Sequence, residues 1–199
     1  MFLVHQPSIR NLGQNSKVIT IHVTNQQTKL SIDESRLKRA VRRILEEAPI
    51  DEALISLAVV DDPTIRRLNR EFLNRDHATD VLSFELERSG RSMEAEVIVS
   101  ADTARATASR FGWSAADELL LYVIHGTLHL VGCDDETPED RALMRDRERA
   151  HLARFGLQPH NQEYNDRNHD TRTAVPSVGD ANAPPNGRAG SSGGGIEIS

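Results

Sequence analysis

The chain has 199 residues, 38% hydrophobic and 27% charged, and its 24 Lys and Arg against 30 Asp and Glu give a formal net charge of −6. That is room for one ordinary domain with a tail, and it excludes a strongly basic nucleic-acid coat while allowing a local cationic face. The one cysteine, Cys133, excludes a disulfide framework and zinc sites built on several thiolates. No apolar run approaches the about 20 residues that span a membrane. The opening Met-Phe-Leu-Val-His lacks both parts of a secretion signal. A soluble, cytoplasmic protein without membrane contacts is expected.

Residues 1–15 are irregular and read as a flexible N-terminus. Residues 18–24, rich in Val, Ile and Thr, read as a strand. Ser31 and Glu34 have the spacing of a capping box, and Leu37, Ala40, Val41, Ile44, Leu45 and Ala48 then recur at helical period before Pro49. Residues 53–60 read as a buried strand. Asp62 and Pro63 read as an N-cap and first helical residue, with Ile65, Leu68 and Phe72 facing inward. Residues 80–87 and 94–100 are two more strands around Gly90. Three helices follow: 101–110 between Ser100 and Gly112, 114–131 ending at Gly132, and one opened by Thr137-Pro138 and closed by Gly156.

From residue 157 the chain changes character. It holds half of the 12 glycines and half of the 8 prolines and has almost no apolar period. Such a segment cannot offset its own ordering entropy, so 157–199 is expected to be a disordered tail. The reading is therefore a single α+β (mixed α/β) domain over 16–156, with a mixed four-stranded sheet packed by about five helices.

The chemistry concentrates in His125-Gly126-Thr127-Leu128-His129-Leu130-Val131-Gly132-Cys133-Asp134-Asp135. Imidazoles four apart on a helix share one face, one turn apart, within reach of a single ion. Gly132 provides a helix stop that lets the chain turn back, and Asp135 falls where a third ligand should arrive. Two His and one carboxylate leave a fourth position for water, the arrangement of a catalytic zinc site, where bound water has a pKa of about 7. One Zn²⁺ per chain on His125, His129 and Asp135 is the expectation. The spacing also fits a metzincin peptidase, but those begin H-E-x-x-H and use the Glu as base, whereas here Gly126 stands in its place.

These residues resemble the YbeY family of bacterial metal-dependent endoribonucleases, whose signature is H-G-x-L-H-L-x-G-Y-D-H. Seven of the nine fixed positions match, Cys133 replacing Tyr and Asp135 replacing the last His. Leu68-Asn69, Asp76 and Thr79-Asp80-Val81-Leu82-Ser83-Phe84 are similar to a second family segment. Glu96-Val97-Ile98-Val99-Ser100 is similar to a third, with Ala95-Glu96 in place of Gly-Asp. The resemblance implies a cytoplasmic, single-strand-specific endoribonuclease of ribosomal RNA maturation, notably at the small-subunit RNA 3′ end, and of ribosome quality control. Its partners would be ribosomal RNA and the small ribosomal subunit, with no DNA expected. It also carries the metal ligands over as His125, His129 and Asp135, where a carboxylate adds a negative charge that imidazole lacks.

The family commonly has an Arg where this chain has Leu73. Arg75 is the candidate substitute for contacting the phosphate, and His77 a candidate acid, each to be set against a solvated loop residue. Cys133 reads as a small apolar residue. Arg36, Lys38, Arg39, Arg42 and Arg43 form a cationic stretch, with Arg39 and Arg43 as the candidate RNA contacts, and Asp33, Glu34, Glu46 and Glu47 nearby to balance it. Two other functions stay open: an RNA- or ribosome-associated factor with a structural metal, and the peptidase.

Overall fold

Alternation of buried β-branched residues with exposed polar ones builds the strands. In β1 (Val18–Asn25) Ile19 and Ile21 are buried while Val18, Thr20 and His22 face out. The structure is a computed structural model that describes residues 17–159. The expected flexible stretch 1–15 and all but the first three residues of the expected tail 157–199 lie outside it. Leu157, the first of those three, packs on the main core.

The described elements run β1, α1 (Glu34–Glu47), β2 (Glu52–Val60), α2 (Asp62–Leu73), β3 (Val81–Ser89), β4 (Ser92–Ser100), α3 (Ala101–Phe111), α4 (Ala115–Leu130) and α5 (Pro138–Ala153). One mixed sheet has the order β1-β2-β4-β3. β1 and β4 each pair parallel with β2, and β3 pairs antiparallel with β4 through the hairpin at Gly90. The fold is thus the expected α+β domain, four strands and five helices.

The two faces of the sheet carry separate cores. Ile55, Leu57, Val59, Val97 and Val99 pack with α1, α3 and α4 on one face. Val60, Leu82, Phe84 and Ile98 pack with Ile65 of α2 on the other. α4 buries 13 of its 16 residues, from Glu118 to Leu130. A helix apolar on every side has to be surrounded, and the sheet, α1, α3 and α5 surround this one. The chemical residues on α4 are therefore held by packing on all sides.

Three local expectations are corrected. Ser31 does not cap α1: the Asp33 carboxylate accepts the Arg36 N–H at 2.9 Å, and Glu34 is the first helical residue. Asp62 does not cap α2: Asp61 does, accepting from Thr64 N–H at 3.0 Å, and Asp62 instead accepts from the Ser100 and Thr103 hydroxyls at 2.5 and 2.8 Å. Phe72 is not on the inner face of α2. It is 55% exposed, tilted against Phe84 at 5.4 Å between ring centroids, while Asn69 takes the buried position. Asn69 can be buried there because its Nδ2 donates to the His77 carbonyl at 2.9 Å. No helix among the described residues is long and apolar enough to cross a membrane.

Candidate metal centre

His125 and His129 lie one turn apart near the end of α4, both buried. Their Nε2 atoms are 3.0 Å apart. Beyond His129 the helix stops as the spacing predicts. Gly132 takes φ 91°, a left-handed conformation that favours glycine, and the Cys133 N–H returns to the Leu128 carbonyl at 3.0 Å. The turn carries Asp135 back over the imidazoles, its Oδ2 3.8 Å from each Nε2. Arg141 of α5 pins this loop by donating to the Asp135 and Glu136 carbonyls at 3.1 and 2.7 Å.

Two further residues complete the centre: Glu148, which the sequence reading left without a role, and Gly126, which it read only as a motif position lacking the peptidase Glu. His125 Nδ1 is 2.6 Å from Glu148 Oε1 of α5. A carboxylate only accepts, so Nδ1 carries the proton and Nε2 turns its lone pair toward Asp135 and His129. A carboxylate behind a metal-ligating imidazole fixes its tautomer and raises its basicity. Glu148 sits in an inward stripe of α5 with Met144, His151 and Leu152. One acid at helical spacing in such a stripe was the available signal. The second is Gly126. A Cβ there would meet Ser83 Oγ and Val81 Cγ2 at 2.7 Å and Val97 Cγ1 at 3.1 Å. Its carbonyl accepts the Ser83 hydroxyl at 3.0 Å. The sheet fills the space that the metzincin Glu would need, so the peptidase has no base at this position.

Charge divides the two imidazoles. Burial and the neighbouring His125 push His129 down to about 4. Burial also disfavours the charged form of His125, but the Glu148, Asp80 and Asp135 carboxylates outweigh it and hold its pKa above the ordinary value. Three donors within 4.8 Å of one another, two imidazole nitrogens and one carboxylate oxygen, form a group that could hold an ion. Their spacings bracket the roughly 3.3 Å between neighbouring donors of tetrahedral zinc. The donor set fits zinc.

The other expected residues sit as follows. Arg75 is half-buried in the loop from α2 to Asp80, just after Asn74, whose φ of 57° caps the helix. Leu73 packs into the second core. His77 is exposed, its Nδ1 3.2 Å from the Ala78 carbonyl. Cys133 is partly buried against the main core, and burial raises its thiol pKa. Asp134 is exposed and accepts the Asp135 N–H at 2.7 Å. Arg39 and Arg43 lie on the exposed side of α1, while Arg36 pairs with Asp117 at 2.6 Å.

Residues 22–156 match the family model described as Endoribonuclease YbeY. The chain belongs to the YbeY family. It is 42% identical over 128 residues to Endoribonuclease YbeY of Chlorobaculum parvum, covering 64% of this chain and 90% of that protein. It is 44% identical over 110 residues to the Rhodopirellula baltica protein of the same name, covering 54% and 57%. A third YbeY, from Desulforamulus reducens, is 36% identical over 151 residues, covering 70% and 99%. A solution structure from Thermotoga maritima is 24% identical with a TM-score of 0.48, covering 75% of this chain and 99% of that one.

Proposed function

We propose that this chain is a zinc-dependent endoribonuclease that cuts single-stranded RNA in the cytoplasm, in the maturation of the small-subunit ribosomal RNA 3′ end and in ribosome quality control. The convergence of His125, His129 and Asp135 carries this reading, in a chain of the YbeY family. Residues 16–156 would form the catalytic unit. Bound there, the metal would supply a Lewis acid and a water acidified to about pKa 7.

The chain's own groups do the rest. His125 and His129 offer Nε2, and Asp135 completes the set. Glu148 keeps the His125 proton on Nδ1. Packing around α4 excludes water from all sides but the loop that carries Asp135. In this reading Arg75 would neutralise a substrate phosphate, and His77 is the candidate to give a proton to the leaving oxygen. On α1, among the described residues, none of the ion pairs of the balancing acids falls on Arg39 or Arg43. Asp33 caps the helix, Glu34 pairs with Lys38 at 3.6 Å, and Glu47 pairs with Arg154. That supports Arg39 and Arg43 as salt-dependent RNA contacts.

A second reading, an RNA- or ribosome-associated factor with a structural metal, draws support from Leu73, which is packed in the core where the family commonly has an Arg. Purified protein is incubated with single-stranded RNA and with casein, with and without chelator. Chelator-sensitive RNA cleavage that disappears in His125→Ala is the expected result. Bound metal without cleavage would favour the second reading, and casein cleavage would overturn both.

A further inference from the structure

A cationic cleft lies along α2. Arg66, Arg67 and Arg70 line one wall and residues 76–78 the other, around about 670 Å³. The i, i+3 and i, i+4 spacings set the three guanidinium groups on one helix face. All three arginines are exposed. Asp76 holds Arg66 by two parallel bonds of 2.8 and 3.0 Å and lies 3.8 Å from Arg70. Among the described residues Arg67 has no ion pair. The other acid on the cleft, Asp62, is taken up by the Ser100 and Thr103 hydroxyls. Three guanidinium groups therefore face two carboxylates, of which Asp76 is the one that pairs with an arginine among the described residues.

The Arg66–Asp76 fork displays the chemistry the cleft accepts: a planar anion presenting two oxygens. The two non-bridging oxygens of a phosphodiester present the same edge. Apolar lining is limited to Pro63 and Ala78, which leaves no aromatic or large aliphatic anchor of the kind that carries a protein interface. The cleft is linked to the metal centre along the chain. Ala78 lines it, and Asp80, two residues on and at most about 7 Å along the chain, is near enough to His125 for its carboxylate to act on that imidazole.

We propose that the α2 cleft is a phosphate-binding subsite that holds the backbone of single-stranded RNA bound at the metal centre, with Arg67 and Arg70 as its main contacts. The substrate class rests on the ribonuclease reading above. Arg66 exchanges Asp76 for a phosphate when RNA binds, so the resting pair keeps the cleft ordered without blocking it.

The test uses the full chain with chelator present, so that nothing is cut, and fluorescence anisotropy of a labelled single-stranded RNA over a salt series. Arg67→Gln/Arg70→Gln leaves the Arg66–Asp76 pair in place, and an unchanged melting temperature checks the fold. Binding is expected to weaken several-fold at low salt. The slope of log affinity against log salt is expected to fall by about 1.4, two contacts at about 0.7 each. Polyphosphate should displace RNA from the wild type more effectively than from the double variant. An unchanged affinity and slope, no RNA binding by the wild type, or polyglutamate binding that depends on the two arginines more strongly than RNA binding does would each overturn the proposal. Cleavage is assayed separately with metal restored. Arginine-dependent RNA binding without cleavage would sink the ribonuclease reading and leave the cleft standing. Normal cleavage with an unchanged slope would do the reverse.

Discussion

Gly126 is fixed by what lies beneath it. Any Cβ would press on the buried side chains of Ser83 and Val81, on β3 beneath α4. Gly126→Ala is expected to destabilise the protein by about 1–3 kcal/mol, the usual cost of overpacking. It should also weaken metal binding, because α4 must lift and carry His125 and His129 with it. Thermal melts and a metal titration on the same sample check both. Glu148 acts at the other end of the same imidazole. Glu148→Gln keeps the shape but loses the charge that raises His125 basicity, and zinc affinity is expected to fall about 10–100-fold. Competition with a chromophoric chelator measures it. The two His were legible because i, i+4 spacing is a local property of a helix. Glu148 was not, because it comes from a different helix and meets His125 only through tertiary packing.

At the scale of elements, apolar periods together with caps, prolines and glycines located every strand and helix among the described residues. Ser100 as a cap and Thr137 as a helix opener were also legible, each standing alone before its helix. Ser31 and Asp62 misled because each has a rival oxygen within two residues. Asp33 and Asp61 won, since the helix must begin where its inward stripe meets the sheet, and sequence spacing does not register that. Freed from capping, Asp62 joins Ser100 and Thr103 into a link between α2, β4 and α3. Ser100 is wholly buried, and its backbone N–H donates to the Asp80 carbonyl at 2.9 Å, beside the metal centre. Ser100→Ala removes the α3 cap and leaves Asp62 short of a donor. The expected loss is about 1–2 kcal/mol, read by denaturant unfolding.

For the whole molecule, metal and proton compete for one buried pair of imidazoles. In chelated protein His129 titrates near 4 when folded, below its ordinary value of about 6.5. Its neutral form therefore favours the fold above about pH 6.5, and that contribution is lost as pH falls toward 4. The melting temperature of metal-free protein is expected to drop across that window, and His129→Gln should flatten the drop. Zinc reverses the deficit by mass action, adding about 2.7 kcal/mol at one hundred times its Kd. The chain has a net charge of −6, so RNA contacts would have to come from local cations, and the arginines of α1 and α2 are the proposed ones.

The central claim is that His125, His129 and Asp135 hold the metal on which RNA cleavage depends. It is tested most directly by measuring zinc content and single-stranded RNA cleavage together in wild type and Asp135→Ala. The expected result is one zinc per chain with chelator-sensitive cleavage in the wild type, and loss of most zinc and of cleavage in the variant. Full zinc content and undiminished cleavage in Asp135→Ala would contradict it.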